Sequence, residues 1–483
     1  MSFTKPFLTI KEIKQGIAAK KFSPKEVVDF HLDRIKKFNP QLNAVLETFE
    51  DEAATQTQND KGLLAHVPGL IKDNISQKGR LTTAGSNVLK GYKAPYNATI
   101  VDRLQKQGGL LIGRTNMDEF AMGSSGEFST YGATRNPWDL TRSPGGSSSG
   151  SGAAVSAGLV PWAIGSETGG SVRQPAAFGG LVGLYPTYGL FSRYGILPFA
   201  SSLDQVGPIT RTVYDCALVT SAMSGHDQND STSIPEPAHD YTINLNGKLP
   251  AGLRIGVIKD ALTSEGINPE IKQKFLDALK ELEKLGATIK EIELPNLKYG
   301  ISVYFLISRA EAASNLARFD GSLYGNRALG IKTLEEMAIQ TRTQGFGTEV
   351  KKRIMMGNYV LSQAHRSEFY EKALHVRSMI RAEFEQAFAE VDVLTSPTTT
   401  TLPFELGKDV TDPLAIYMND YFSVPSNVAG LPGISIPCGY SQSGLPIGFQ
   451  LIGPRLSEDM LFQVAHAYEQ ETQFFTMTPK GFE

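Results

Sequence analysis

The chain has 483 residues, a formal net charge of −3 and two cysteines. Its length allows about three domains or one large continuous core, and its weak negative charge lacks the basic footprint of a protein that binds nucleic acid unaided. The cysteines form neither a disulfide framework nor a metal-binding pattern, and no apolar run has membrane-spanning length or the form of a signal peptide, which predicts a cytoplasmic protein with no membrane partner.

The N-terminal residues 9–60 have a helical pattern. Ser23 and Glu26 form a capping box around Pro24, which predicts a helix that continues to about Phe38. The region offers no candidate ligands. We therefore expect residues 1–60 to be N-terminal helices that cover one face of a sheet.

Residues 61–225 alternate short apolar strands with helices. The pattern predicts a helix near 98–107, a strand at 110–114 and a helix at 212–224. Such alternation is typical of an α/β core. The polar, proline-containing stretch 226–250 that follows is interpreted as a surface loop.

Residues 251–483 combine further strands of the core with a helical section. An amphipathic helix begins at Pro269 and ends before Gly286, between two predicted strands. The other elements predicted in this part are strands at 253–258, 287–294, 391–394 and 434–436, long helices at 298–320 and 347–390, and a closing helix at 457–470. We interpret residues 1–483 as one domain.

The most informative stretch is the glycine- and serine-rich segment 143–175. An apolar turn at 153–160 separates its two glycine-rich parts. Glycines beside a serine expose its hydroxyl and let backbone N–H groups approach a bound carbonyl. A short helix follows Ser171, with Pro175 in its first turn and Gly179 at its end. Ser171 is therefore the candidate nucleophile.

Three other interpretations of this segment compete with a catalytic one. Apolar segments on both sides argue against a flexible linker. A phosphate-binding loop lacks the Lys-Ser or Lys-Thr pair that closes it. Residues 146–150 match a nucleophile elbow centred on Ser148, but residues 141–145 do not form the strand that an elbow requires.

The base that activates Ser171 has two kinds of candidate. The seven histidines lie outside glycine-rich and acidic contexts, yet triad members need not be close in sequence, so a Ser-His-Asp arrangement stays open. Lys72 follows the apolar run 67–71, and burial at a strand end lowers the pKa of a lysine and lets it act as a neutral base. On the residues alone, a solvated surface lysine stays open as well.

Three stretches, 69–74, 116–125 and 136–211, resemble the amidase-signature family, and the similarity extends over nearly the whole chain. Within that family the chain is similar to the A subunits of bacterial glutamyl-tRNA(Gln) and aspartyl-tRNA(Asn) amidotransferases. The resemblance implies a large mixed β-sheet covered on both faces by α-helices. Two positions depart from the family pattern, Ser149 in place of glycine and Glu167 in place of aspartate.

The resemblance also implies a Ser–cis-Ser–Lys triad. Ser171 corresponds to the nucleophile, Ser147 to the serine that follows a cis peptide bond, and Lys72 to the base. Lys72 takes a proton from Ser147 while Ser147 takes one from Ser171, which attacks the side-chain amide of glutamine. The family's oxyanion hole corresponds to the backbone N–H groups of Thr168, Gly169, Gly170 and Ser171.

A glutamine pocket needs a guanidinium for the α-carboxylate and a carboxylate for the α-ammonium. By resemblance, Arg353 and Asp420 hold these roles and Tyr304 belongs to the same pocket. Without the resemblance, both charged residues would be interpreted as solvated surface groups.

Two functions remain open. The first is the ammonia-generating component of a heterotrimer, with no cofactor of its own, whose B subunit binds ATP, Mg²⁺ and aminoacyl-tRNA and whose C subunit wraps around this component. The second is a free-standing amidase for another amide, which has no need of Arg353 and Asp420. That pair therefore discriminates between the two functions.

Overall fold

A computed structural model describes residues 3–50, 61–408 and 417–483 of the protein. Eleven strands of this part form one sheet. The strands are β1 (Val45–Thr48), β2 (Pro68–Lys72), β3 (Leu110–Thr115), β4 (Trp162–Glu167), β5 (Val182–Tyr185), β6 (Gln205–Thr210), β7 (Arg254–Ile258), β8 (Thr288–Ile292), β9 (Val393–Pro397), β10 (Gly433–Tyr440) and β11 (Pro446–Ile452).

The sheet is mixed, with the order β1-β3-β2-β4-β6-β5-β10-β11-β9-β7-β8. Strand β2 pairs in parallel with β3 and β4, and β7 pairs in parallel with β8 and β9. The strands between these two parallel groups pair antiparallel. Strands from the first and last quarters of the chain thus meet in one sheet.

Helices pack on both faces of the sheet. Successive side chains of a strand point to opposite faces, and on β2 Leu70 belongs to one apolar cluster while Ile71 belongs to another. The helices are α1 (Ile10–Ala18), α2 (Pro24–Leu42), α3 (Thr99–Lys106), α4 (Ser149–Ser156), α5 (Arg173–Gly179), α6 (Val213–Met223), α7 (Asp260–Thr263), α8 (Pro269–Lys284), α9 (Gly300–Asn315), α10 (Leu334–Gly345), α11 (Thr348–Leu361), α12 (Lys372–Glu390), α13 (Val424–Ala429) and α14 (Glu458–Thr472). The predicted α/β fold is confirmed, and no helix of the described residues could cross a membrane.

The expectation that residues 1–60 are helical throughout is wrong. Helix α2 ends at Leu42, where Asn43 takes a left-handed conformation with φ of 51°. The chain then enters β1, which pairs antiparallel with β3 at the edge of the sheet. A four-residue strand is too short to show a clear period of two, so the pattern did not reveal it. Residues 51–60 lie outside the described residues.

The apolar turn predicted at 153–160 is wrong for the first half of this stretch, because helix α4 continues to Ser156. Its glycines permit two close contacts that larger residues would prevent. A Cβ atom on Gly150 would lie 2.3 Å from the carbonyl oxygen of Ala44, and one on Gly152 would lie 2.9 Å from Cβ of Pro175. The serine and glycine content suggests a loop, but tight packing stabilises the helix.

The predicted long helix at 347–390 is two helices, α11 and α12. The chain leaves α11 at Ser362, which has extended backbone angles, and re-enters helical structure through a π-helical turn at Ser367–Glu371. Both helices pack against α9, so the chain must change direction between them. The sequence here contains no glycine or proline that would mark the break.

Candidate active site

Lys72 is the last residue of β2 and is fully buried. Because strand side chains alternate, it faces the same side as Leu70, toward the cluster that contains α4. Its Nζ lies 2.8 Å from Oγ of Ser147 and 2.9 Å from Oγ of Ser148, and it donates to the carbonyl oxygen of Ser166 at 3.0 Å. The structure therefore brings two of the three predicted triad residues, Lys72 and Ser147, into contact.

Burial lowers the pKa of Lys72 to about 7. Desolvation is the largest cause, because it disfavours the charged ammonium. The negative charges of Asp118, Asp204 and Glu167 act in the opposite direction and raise it. Near neutral pH a substantial fraction of Lys72 is thus the free amine, which has a lone pair able to accept a proton.

The two serines beside Lys72 are not equivalent. Ser148 Oγ donates to the carbonyl oxygen of Ser166 at 3.0 Å and accepts from the Ser166 N–H at 3.2 Å. The hydroxyl hydrogen of Ser148 is therefore already donated to the Ser166 carbonyl oxygen. A neutral amine has two N–H bonds and one lone pair, and the hydroxyl that is free to donate to this lone pair is that of Ser147.

Asp118 fixes the turn that carries Ser147. The peptide bond between Gly146 and Ser147 is cis, as the resemblance implies. The Asp118 N–H donates to the carbonyl oxygen of Ser147 at 3.2 Å, and its carboxylate accepts from the N–H groups of Gly126 at 3.1 Å and Phe128 at 3.0 Å. A Cβ on Gly146 would lie 2.2 Å from Asp118 Oδ2, so only glycine fits before Ser147.

Ser171 lies just before α5, and its backbone is tied to the neighbouring serine turn. Its carbonyl oxygen accepts from the N–H of Ser148 at 3.2 Å. Its hydroxyl makes no hydrogen bond to the described residues, so the predicted link between Ser171 Oγ and Ser147 Oγ is not made in this structure. The structure brings the backbones together but does not align the two hydroxyls.

The loop before Ser171 presents unoccupied donors. Among the described residues, no acceptor is bonded to the backbone N–H groups of Thr168, Gly169, Gly170 and Ser171. Gly170 has a φ of +100°, which a side chain would oppose. Thr168 is anchored, since its hydroxyl donates to Asp204 Oδ1 at 2.6 Å. The arrangement can stabilise a negative oxygen beside Ser171.

Glu167 accepts hydrogen bonds from the residues that follow Ser171 at the C-terminal end of this loop. Its Oε2 accepts from the N–H groups of Val172 at 2.9 Å and Arg173 at 3.0 Å, and its Oε1 forms a buried ion pair with the Arg173 guanidinium. Both carboxylate oxygens of Glu167 thus have partners, and the structure accommodates this departure from the family pattern. The other departure, Ser149, donates to the hydroxyl of Thr134 at 3.2 Å.

Asp420 and Tyr304 pack directly against the loop. A Cβ on Gly170 would lie 2.5 Å from Asp420 Oδ1, and one on Gly169 would lie 2.8 Å from the Tyr304 ring. Asp420 Oδ2 accepts from the Ser124 hydroxyl at 2.8 Å. Burial raises the pKa of Asp420 to about 8, and an ammonium group placed beside it would favour the ionised form.

Arg353 is buried on α11, next to the same group of side chains. Its Nε donates to Glu349 Oε1 at 2.8 Å, and its Nη2 lies 3.5 Å from the Tyr417 hydroxyl. Its positive charge also acts on the pKa values of Tyr304 and Asp420, which places it within electrostatic reach of both. The three predicted pocket residues therefore converge on one region beside Ser171.

Several residues of the site were not predicted from the sequence. They are Ser148, Asp118, Asp204 and Glu349. Ser148 contacts the Lys72 amine, as Ser147 does, and Glu349 pairs with Arg353. Asp118 and Asp204 hold the turn of Ser147 and the loop before Ser171. Ser148 had a signal, since the sequence placed it beside Ser147. Among the described residues, no group of three or more histidine, cysteine, aspartate or glutamate side chains could hold a metal ion.

Comparisons with known proteins find relatives over nearly the whole chain. A family model described as "Amidase" matches residues 26–462. The chain is 49% identical over 474 residues to the A subunit of glutamyl-tRNA(Gln) amidotransferase from Halothermothrix orenii, a match covering 98% of this chain and 99% of that protein. The protein of the same name from Cyanothece sp. is 48% identical, with the same coverage.

Two solved structures show the same fold. The A subunit of glutamyl-tRNA(Gln) amidotransferase from Thermotoga maritima has a TM-score of 0.82 and 39% identity, covering 97% of this chain and 96% of that chain. A 6-aminohexanoate cyclic dimer hydrolase complexed with substrate has a TM-score of 0.88 and 27% identity, covering 99% of this chain and 100% of that one. From the family model, the full-length relatives and the shared fold, we conclude that this chain belongs to the amidase family.

Proposed function

We propose that this chain is the glutamine-hydrolysing component of a tRNA-dependent amidotransferase. The hydrolytic part of the proposal rests on one observation, the buried amine of Lys72 at 2.8 Å from the Ser147 hydroxyl, beside the free N–H groups that precede Ser171. The amidotransferase part rests on the names of relatives that match nearly the whole chain. We further propose that residues 1–483 act as one catalytic domain, supported by the interleaving of early and late strands in one sheet.

The reaction begins with proton transfer along the three residues. The unprotonated amine of Lys72 accepts the proton of Ser147, and Ser147 accepts the proton of Ser171. The second transfer requires the Ser171 side chain to turn toward Ser147, while the backbone contact between Ser148 and Ser171 stays in place. Glutamine bound at the loop supplies the carbonyl carbon that the Ser171 oxygen attacks.

The tetrahedral intermediate places its negative oxygen at the N–H groups of residues 168–171. Donors of this kind are held in position before the reaction, and each typically contributes about 3 kcal/mol to the transition state. Collapse breaks the carbon–nitrogen bond, and the leaving ammonia takes its proton through Ser147. Water then hydrolyses the glutamyl ester on Ser171, which releases glutamate and restores the free hydroxyl.

Arg353 and Asp420 select the substrate in this proposal. Arg353 binds the α-carboxylate, Asp420 binds the α-ammonium, and Tyr304 forms the wall between them and the oxyanion loop. The alternative function is a free-standing amidase, because a hydrolase of a different amide shares the fold. Burial of a guanidinium and a carboxylate beside Ser171 favours an amino-acid amide, since an apolar amide would leave both groups desolvated without a ligand.

Ammonia released at Ser171 is used on another protein of the complex in this proposal. A B subunit binds ATP, Mg²⁺ and aminoacyl-tRNA and amidates glutamyl-tRNA(Gln) and aspartyl-tRNA(Asn), and a C subunit completes the heterotrimer. The net charge of −3 fits a chain that leaves tRNA binding to its partner. We place the reaction in the cytoplasm, where aminoacyl-tRNA is used.

The test is to assemble the chain with the B and C subunits encoded in the same genome. We expect glutamine hydrolysis and amidation of glutamyl-tRNA(Gln) that depends on ATP. A glutamine-derived electrophile should label Ser171 in mass spectrometry. Labelling of Ser148, or an assembled enzyme that hydrolyses simple amides but not glutamine, would contradict the proposal.

A further inference from the structure

Arg309 is a buried cation that the reaction described above does not use. It lies on α9 with 1% of its surface exposed. Its Nη1 donates to the hydroxyl of its neighbour Ser308 at 3.1 Å, but Nε and Nη2 are buried and have no hydrogen-bond partner among the described residues. Buried guanidinium groups are normally paired, because an unpaired buried charge is costly.

Aromatic rings surround this guanidinium. Its central carbon lies 3.6 Å from the ring centroid of Phe305, 5.2 Å from that of Tyr417 and 5.9 Å from that of Tyr304. The same Tyr417 ring lies 5.9 Å from the Arg353 guanidinium, and Tyr304 packs on the loop before Ser171. Arg309 and Arg353 thus both have the Tyr417 ring as a close neighbour, beside the proposed glutamine pocket.

The charges of Arg309, Arg353 and Glu349 do not balance. Glu349 is the carboxylate that pairs with Arg353 among the described residues, and its Oε1 also accepts from the Tyr417 hydroxyl at 3.2 Å. Arg309 has no carboxylate partner of its own among them. Burial and the neighbouring charge of Arg353 lower its pKa to about 10, which still leaves it protonated at neutral pH. Two guanidinium groups therefore face one carboxylate.

We propose that Arg309 is a specificity-determining residue that, together with Arg353, binds the α-carboxylate of the amide substrate. This inference rests on the proposed function of the chain as a glutaminase. A substrate carboxylate supplies the anion that the pair lacks, and its two oxygens accept N–H bonds that Arg309 and Arg353 leave unused. An amide without this carboxylate leaves the excess charge uncompensated, so the pocket discriminates against it.

The kinetic test compares Arg309→Met and Arg309→Lys in the assembled enzyme. The substrates are glutamine and 4-aminobutanamide, which is glutamine without the α-carboxylate. We expect Arg309→Met to raise KM for glutamine about tenfold or more, with kcat changed less than about threefold, and to leave hydrolysis of 4-aminobutanamide nearly unchanged. Arg309→Lys keeps the charge and should restore most of the glutamine affinity.

Ligand-dependent stability provides a second measurement that does not depend on turnover. The melting temperature of wild type should rise more with added glutamate than that of Arg309→Met, because only wild type has both guanidinium groups for the carboxylate. Without ligand, Arg309→Met should melt at or above the wild-type temperature, since methionine removes an unpaired buried charge. An Arg309→Gln variant, neutral and polar, serves if Arg309→Met does not fold.

The outcomes separate this inference from the proposed function. An active wild type with an unchanged KM in Arg309→Met, or with equal losses on both amides, overturns the role of Arg309 and leaves the glutaminase intact. A wild type that does not hydrolyse glutamine when assembled with its partner subunits overturns the proposed function and this inference together.

Discussion

The protonation of Lys72 makes the proposed chemistry testable through pH. With a pKa of about 7, the neutral fraction of Lys72 increases about tenfold between pH 6 and pH 8. We expect kcat/KM for glutamine to increase by a similar factor over this range and to level off above it. Lys72→Arg should be nearly inactive throughout, because a guanidinium keeps its proton.

Stability gives an independent measure of the same pKa. The pKa of Lys72 is about 7 in the folded chain, against the ordinary value of 10.5. Between these values the unfolded chain binds more protons than the folded one, so Lys72 makes the free energy of unfolding rise with pH, by about 1.4 kcal/mol per pH unit. Above the pKa of the unfolded chain and below the pKa of the folded chain, Lys72 no longer changes the free energy of unfolding with pH.

Replacing Lys72 with methionine removes this slope. The difference in unfolding free energy between wild type and Lys72→Met should therefore shift by about 2 kcal/mol in favour of wild type from pH 7.5 to pH 9, as measured by denaturant unfolding. Lys480→Met, which alters an exposed lysine, is the matched control. A difference that stays constant with pH would show that Lys72 is charged in the folded chain and is not the base.

Three further predictions concern the other site residues. Ser171→Ala should abolish glutamine hydrolysis, yet the assembled enzyme should still amidate tRNA when ammonium chloride replaces glutamine; loss of both activities would contradict the division of labour between subunits. Ser147→Ala should reduce kcat far more than Ser148→Ala, because the Ser148 proton is bonded to a backbone carbonyl; equal losses would argue against a specific relay through Ser147. Arg353→Ala should mainly raise KM for glutamine, with little effect on an amide that lacks the α-carboxylate, and unchanged glutamine kinetics would remove Arg353 from the pocket.

Much of the α/β framework could be predicted from the sequence because its elements are long or strongly patterned. Helix α8, with its N-terminal Asn-Pro and its apolar stripe, lies where the pattern placed it. Strand β1 and helix α4 could not be predicted in the same way. The four residues of β1 depend on pairing with β3. Five of the eight residues of α4 are serine or glycine, which have low helix propensity, so close packing contributes to its stability.

For the site, the sequence indicated the segments that carry the chemistry but not their contacts. The cluster around Lys72 joins its amine to two serine hydroxyls and a backbone carbonyl that lie 75 to 94 residues away in the chain, and only the fold brings them together. Arg309 is the clearest example of a residue whose contacts the sequence does not indicate. Its neighbours Ser308 and Ala310 give no sign of a special environment, and its burial follows from the packing of α9 against α11.

The site divides into two halves that different parts of the fold position. Lys72 is the last residue of β2, and Ser147 and Ser171 lie just before α4 and α5. The proposed pocket residues Tyr304 and Arg353 lie on α9 and α11, which pack against each other, and Asp420 lies just before α13. We expect substitutions on these helices to change substrate binding more than proton transfer. Because a 6-aminohexanoate cyclic dimer hydrolase and the A subunit of an amidotransferase share this fold, we expect substrate choice to depend on these pocket residues rather than on the fold itself.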